Sequence, residues 1–200
     1  MKHILGYRCT LCGAELPYDE RMTCPHCGEK GILDIVFDYG YIKKEFNRET
    51  LRRDRTNSMW RYAPLMPLAP RDFSRFLRVG WTPLSPSNRL GAELGLRALY
   101  IKDDGLNPTA SLKDRASGVA VAKAVELGYD TIACSSTGNA ASSCAGNAAR
   151  MGLKTVIFVP QRAPEGKVAQ LMIFGAKVVS VKGDYKATFD LSKAAIEKYG

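Results

Sequence analysis

Thr131-Ile132-Ala133-Cys134-Ser135 runs into Ser136-Thr137-Gly138-Asn139 and then into Ala140-Ala141-Ser142-Ser143-Cys144-Ala145-Gly146. A short apolar run thus passes through a Ser/Thr/Gly/Asn turn into a stretch of small residues. This reads as a strand, a loop and a helix that packs closely through its alanines. The alternation continues toward the C-terminus, where Thr155 to Val159 is strand-like, Lys167 to Phe174 helical, Lys177 to Val181 strand-like, and a last helix begins near Tyr185. Toward the N-terminus, a helix from Ser111 to Leu127, stopped by Gly128, follows a strand-like Leu99-Tyr100-Ile101-Lys102. Strands alternating with helices over short links imply βαβ units, hence an α/β fold whose parallel sheet is flanked by helices.

Upstream of Trp81 the texture differs. Pro64, Pro67 and Pro70 exclude a regular helix between Trp60 and Pro70 and imply an extended arm. The charged segment before about Ser58 reads as a connecting helix, and Ile32 to Tyr39 as a short strand. Residues Tyr7 to Gly28 are rich in Cys, Gly and Pro and too poor in apolar periodicity to bury a core, so they need a staple. Cys9-Thr10-Leu11-Cys12 and Cys24-Pro25-His26-Cys27 offer one, as two CxxC knuckles eleven residues apart. Two cysteines three apart on a turn can aim both sulfurs at one ion, and two such turns complete a tetrahedron with Zn–S distances of about 2.3 Å. Gly13 and Gly28 follow the knuckles directly and allow the chain to turn back. Four thiolates would make a closed, structural zinc site and leave His3 and His26 spare; a redox dithiol pair is the other reading of the spacing. Cys134 and Cys144 lie apart and read as small buried residues.

The 200 residues carry a formal net charge of +9, which admits an acidic partner without choosing one. Much of the excess lies at Lys43, Lys44, Arg48, Arg52, Arg53, Arg55 and Arg61, a run that reads equally as a solvated helical face. A nucleic-acid-binding ribbon with this basic arm leaves everything after Leu99 unexplained and lacks aromatics for base stacking, so nucleic acid is not the expected partner. No apolar run approaches the roughly 20 residues of a membrane helix, and the cysteine usage suits a reducing compartment, so no membrane is expected and the cytoplasm is.

Two segments carry chemistry. In Asn107-Pro108-Thr109-Ala110-Ser111-Leu112-Lys113-Asp114-Arg115, Ser111 and Asp114 have the spacing of a capping box, which puts Lys113 in the first turn of a helix. A cation there opposes the helix dipole at a cost of about 0.3–1 kcal/mol, a departure from local preference of the kind found at functional sites. The dipole favours the neutral amine, the form that condenses with an aldehyde, but by less than tenfold; enclosure or a cofactor must supply the rest. A surface Lys-Asp-Arg turn remains the alternative from these residues alone. At Ser136-Thr137-Gly138-Asn139, a helix N-terminus beyond the carboxyl end of a strand offers an anion site, where Gly138 lets a ligand approach, Ser136 and Thr137 supply hydroxyls, and Asn139 can reach a ring heteroatom. The same letters also spell an ordinary helix cap, and they match neither a dinucleotide fingerprint nor a P-loop.

Taken with Met59-Trp60-Arg61-Tyr62, Gly80-Trp81-Thr82-Pro83-Leu84 and Gly166-Lys167-Val168-Ala169-Gln170, these segments resemble the threonine synthase family of pyridoxal-phosphate enzymes, which share the tryptophan synthase β-subunit fold, fold type II. The resemblance implies a zinc ribbon over residues 1–40, an arm and the start of a large domain over 41–101, and most of a smaller α/β domain over 102–200, the whole being part of a longer two-domain enzyme. It implies that Lys113 carries pyridoxal 5'-phosphate, that Asn139 contacts the cofactor, and that Ser136, Thr137, Gly138 and Asn139 bind a small anionic amino-acid substrate. The implied reaction is conversion of O-phospho-L-homoserine and water to L-threonine and phosphate, in a cytoplasmic homodimer; cysteate synthase and threonine dehydratase types are the nearest alternatives. Ala110, Leu112 and Ala140 stand where the family commonly has Gly, Phe and Thr. Ala140 removes a hydroxyl from the substrate side.

Overall fold

The strand, loop and helix at residues 131–150 form as their pattern implies, and a parallel sheet grows from them. The computed structural model describes residues 1–199. Two compact units are present, Met1–Thr56 with Arg61–Arg71, and Asn57–Trp60 with Asp72 onward.

In the first unit, strands β1 (Ile4–Cys9), β2 (Glu15–Leu16) and β3 (Leu33–Phe37) form an antiparallel sheet in the order β2-β1-β3. The charged segment after it is two helices rather than one, α1 (Tyr39–Glu45) and α2 (Arg48–Arg53). The break has a local cause. Asn47 turns its side-chain oxygen to the N–H groups of Glu49 and Thr50, and the Thr50 hydroxyl returns to the Asn47 N–H at 2.9 Å, a capping box that starts a second helix. Lys43, Lys44, Arg52 and Arg53 fall in the last turns of these helices, where the dipole favours cations. That placement accounts for much of the basic run in structural terms. The proline-rich stretch is not fully extended as expected, because Met59–Leu65 closes into a 3-10 helix with Pro64 inside it. Proline's fixed φ near −65° lies within the 3-10 range, so the ring fits a short 3-10 helix although its missing N–H gives up one bond.

In the second unit, β4 (Leu84–Pro86) pairs antiparallel with β5 (Tyr100–Lys102), with α3 (Asn88–Glu93) between them. Then follow α4 (Lys113–Glu126), β6 (Thr131–Ser135), α5 (Asn139–Arg150), β7 (Lys154–Pro160), α6 (Glu165–Ile173), β8 (Lys177–Val181) and α7 (Tyr185–Tyr199). The last three strands are parallel in the order β6-β7-β8, with Ser135 opposite Phe158 and Phe158 opposite Val179. Ile157 and Val159, two apart and therefore on one face, pack with Ala141 and Ala145 of α5 and Leu171 of α6, all fully buried or nearly so. Alanines on α5 let the helix lie close to the sheet, as its composition implied. Helix α7 packs on β6 and β7. Trp60 stacks on Phe73 with ring centroids 4.7 Å apart and donates its indole N–H to Leu77 O at 3.1 Å.

Candidate functional site

Lys113 is the first residue of α4 and Asn139 the first residue of α5, two helices that pack against each other. The turn before Lys113 is held from within. Asn107, Thr109 and Ser111 are buried, alternating with exposed Pro108, Ala110 and Leu112. Asn107 accepts the Gly80 N–H at 2.9 Å and donates to Asp104 O at 3.0 Å. Ala110 adopts φ +57°, a left-handed conformation that costs an alanine energy.

The expected capping box is only half formed. The Ser111 hydroxyl oxygen accepts the Lys113 N–H at 3.1 Å, but Asp114 does not reach back to it. Instead the Asp114 carboxylate is fully buried and accepts four hydrogen bonds: from Thr109 N and Thr109 Oγ1, each at 2.7 Å, from Ser143 Oγ at 2.6 Å and from Asn147 Nδ2 at 3.0 Å. Tertiary donors on α5 outcompete the local cap because the carboxylate can enter a site where every lone pair it turns inward finds a partner. Ser143 and Asn147 are four apart on the otherwise small-residue helix, a polar pair on one face that could have signalled a buried acceptor opposite. Arg115, the next residue, forks onto Asp104 with Nε and Nη2 each 2.8 Å from a carboxylate oxygen, while the Thr82 hydroxyl donates to the same carboxylate at 2.7 Å. The Arg115 fork, with Thr82 behind it, holds Asp104 well below the usual carboxylate range. Lys113 itself is exposed, so enclosure of its amine is not supplied by the described residues.

The loop before α5 lies at the carboxyl end of β6. The Ser136 hydroxyl oxygen accepts the Gly138 N–H at 3.2 Å, which stiffens the turn. The N–H groups of Asn139 and Ala140, in the first turn, have no intrahelical acceptor by the geometry of a helix start. An added Cβ on Gly138 would meet nothing within 4 Å, so the space over the loop is open. Ser135 Oγ is buried without a hydrogen-bond partner at the same strand end. A lysine at the start of one helix and an amide at the start of the helix packed on it, with open space over the loop and an unsatisfied hydroxyl beside it, suit an aldehyde with polar ring substituents. The residues present therefore fit pyridoxal phosphate. Ser142, one turn along α5, donates to Gln170 Oε1 on α6 at 2.9 Å.

In the first unit the four cysteine sulfurs all lie within 4.8 Å of one another, and Cys12 and Cys24 Sγ are 3.8 Å apart. Sulfurs about 2.3 Å from a tetrahedral ion stand about 3.8 Å from each other, so the donor set matches zinc. The backbone N–H groups of Cys12 and Leu11 draw the Cys9 thiol down to about 7, toward the thiolate that a metal ligand must be. Gly31 is required here: a Cβ would lie 2.5 Å from Cys24 Cβ and 2.7 Å from Cys27 Cβ.

This chain belongs to the pyridoxal-phosphate-dependent enzymes, whose family profile, described as "Pyridoxal-phosphate dependent enzyme", matches residues 76–200. Its parallel sheet flanked by helices is the fold type II arrangement, and maize serine racemase superimposes with a TM-score of 0.55 at 21% identity, over 77% of this chain and 42% of that one. Among individual proteins, the threonine synthase of Methanocaldococcus jannaschii is 41% identical over 187 residues, 93% of this chain and 45% of that protein. The threonine synthase of Methanosarcina acetivorans is 41% identical over 180 residues, 89% of this chain and 43% of that protein. The chain thus spans less than half the length of these relatives. No helix among the described residues is long and apolar enough to cross a membrane.

Proposed function

We propose that the chain is part of a threonine synthase, which converts O-phospho-L-homoserine and water to L-threonine and phosphate. The observation that carries this reading is the pairing of Lys113 and Asn139 as the leading residues of two helices packed together, within a chain 41% identical to threonine synthases over nearly its whole length. In this reading residues 1–40 are a zinc ribbon, 41–101 an arm and the start of a larger domain, and 102–200 most of a smaller domain.

Lys113 would hold pyridoxal phosphate through its side-chain amine, and Asn139 would contact the cofactor's ring oxygen. When bound, the cofactor's conjugated ring accepts negative charge from the substrate's α carbon. The freed Lys113 amine would move protons at the α and β carbons of the substrate. Ser136, Thr137 and the first N–H groups of α5 around Gly138 and Asn139 would bind the substrate carboxylate, as a helix start binds any anion. Zinc held by Cys9, Cys12, Cys24 and Cys27 would be structural, since four thiolates leave no open position. A cytoplasmic homodimer is part of the same proposal, and gel filtration tests its stoichiometry.

The experiment is borohydride reduction of the full-length protein with pyridoxal phosphate, peptide mapping, and phosphate release from O-phosphohomoserine. A phosphopyridoxyl group on Lys113 together with phosphate release supports the proposal. A label elsewhere removes the site, and activity only on threonine or phosphoserine removes the substrate, with Ala140 the residue to revisit.

A further inference from the structure

The buried carboxylate of Asp114 has no place in the chemistry proposed above, yet it is the most heavily bonded side chain near Lys113. It is fully buried, and three of its four bonds converge on Oδ1, from Thr109 Oγ1, Ser143 Oγ and Asn147 Nδ2, while Oδ2 accepts the Thr109 N–H. No cation is among these partners. Of the two cations adjacent in sequence, Lys113 is exposed and Arg115 is committed to Asp104. A buried carboxylate held by four neutral donors, in a helix's first turn, is kept there by geometry and by the positive end of the dipole.

The consequences run along both helices. Thr109 belongs to the turn that leads into Lys113, and Ser143 lies four residues, about 6 Å of helix, beyond Asn139. One carboxylate therefore ties the lysine-bearing turn to the helix that begins with Asn139. Adjacent residues on a helix point about 100° apart, so with Asp114 locked inward Lys113 is turned outward, as its exposure requires.

We infer that Asp114 is a positioning residue for Lys113: its carboxylate fixes the first turn of α4 against α5 so that the lysine amine stands in a set relation to the loop at Asn139. This rests on the assignment of Lys113 as the cofactor-carrying lysine. The function depends on an acceptor-only group. In an Asp114→Asn variant the amide nitrogen must face either the Thr109 N–H or the three donors at Oδ1, so no orientation satisfies the site.

The test compares wild type, Asp114→Asn and Ser143→Ala in the full-length protein, with Ile157→Val as a core control that does not touch the clamp. Two quantities are read: the rate at which added pyridoxal phosphate becomes borohydride-trappable on Lys113, and the hydrogen exchange of the Thr109 amide without cofactor. Misplacement of a reacting group by about 1 Å costs as much as 100-fold, so Asp114→Asn is expected to slow labelling 10- to 100-fold, with Ser143→Ala between it and wild type. The control is expected to stay within about twofold, and the Thr109 amide to lose protection only in the clamp variants. Labelling of Asp114→Asn at the control's rate overturns the inference while leaving Lys113 in its role. If Asp114→Asn does not fold, Ser143→Ala decides alone: a rate equal to the control's overturns it. Wild type unlabelled at Lys113 overturns the proposed function and this inference with it.

Discussion

Two left-handed residues in neighbouring loops should respond to substitution with opposite signs. Gly80 has φ +80°, and a Cβ built on it would lie 3.0 Å from Met59 N, 3.2 Å from Met59 Cβ and 3.0 Å from Arg115 Nη1. None of these can withdraw freely, because Met59 N is bonded to Val79 O at 2.7 Å and Arg115 is forked onto Asp104. Gly80→Ala then costs about 1–2 kcal/mol for the conformation and about 1–3 kcal/mol for overpacking, less about 0.4–1 kcal/mol from the stiffer unfolded chain. The net is a loss of about 2–3 kcal/mol. Ala110 has φ +57° and is exposed, so its methyl group contributes little packing. Ala110→Gly recovers about 1–2 kcal/mol of strain and gives back about 0.5–1 kcal/mol of chain entropy, a net gain of about 0.5–1 kcal/mol. Urea denaturation followed by tryptophan fluorescence would read both as shifts of the midpoint at constant slope. At about 2–4 °C per kcal/mol, melting should fall by roughly 4–12 °C for the first variant and rise by roughly 1–4 °C for the second. A Gly80→Ala protein as stable as wild type, or an Ala110→Gly protein that is weaker, would refute the backbone argument.

Metal analysis should find one zinc per chain, and removal by a strong chelator should abolish the protected amides of β1 and β3, since a structural zinc contributes on the order of 10 kcal/mol to so small a module. Gly31→Ala, which drives a methyl into Cys24 and Cys27, should weaken zinc retention in a chelator competition; unchanged retention would mean that the cysteines do not converge on a metal. The Asp104–Arg115 pair should show in acid. Because the folded-state pKa of Asp104 is depressed, its stabilisation is complete above about pH 4 and fades as pH falls further. Asp104→Asn should therefore be weaker than wild type by about 1–2 kcal/mol at neutral pH, after allowing for the screening of a part-exposed arginine, and the gap should narrow progressively as pH falls below about 4. A gap independent of pH would refute it.

Much of the second unit was legible because its elements are bounded by chemistry that no tertiary contact overrides. Strands 131–135 and 177–181 match their apolar runs residue for residue, since turn residues flank both. The first strand, Ile4–Cys9, was not legible: its alternation is interrupted by Gly6 and ends on a metal-ligand cysteine, so composition spoke for a loop. The split between α1 and α2 was written in Asn47 and Thr50 but hidden by the surrounding charge. Asp114 was legible as a helix-start residue and misread in its partner, because Ser143 and Asn147 stand 29 and 33 positions away and only folding brings them to it. The cysteine tetrad was fully legible, since the spacing of two knuckles fixes which four sulfurs can meet. The exposure of Lys113 was not, because burial is a property of what packs around a residue.

Three successive residues of α4 illustrate how a locally unfavourable lysine is kept in place. Lys113 sets a cation against the positive end of the helix dipole, at about 0.3–1 kcal/mol, while Asp114 in the same turn sets an anion there and returns a similar amount. Had the acid stayed outside as a cap, it would have been free to pair with the amine beside it. Drawn inward to Thr109, Ser143 and Asn147, it offsets the dipole cost while its charge is taken up by four donors. Arg115 is likewise neutralised by Asp104, and so adds little repulsion or competition at the amine. The turn thus presents Lys113 as an outward-facing group without an ion pair among the described residues, which suits the cofactor-carrying role proposed for it.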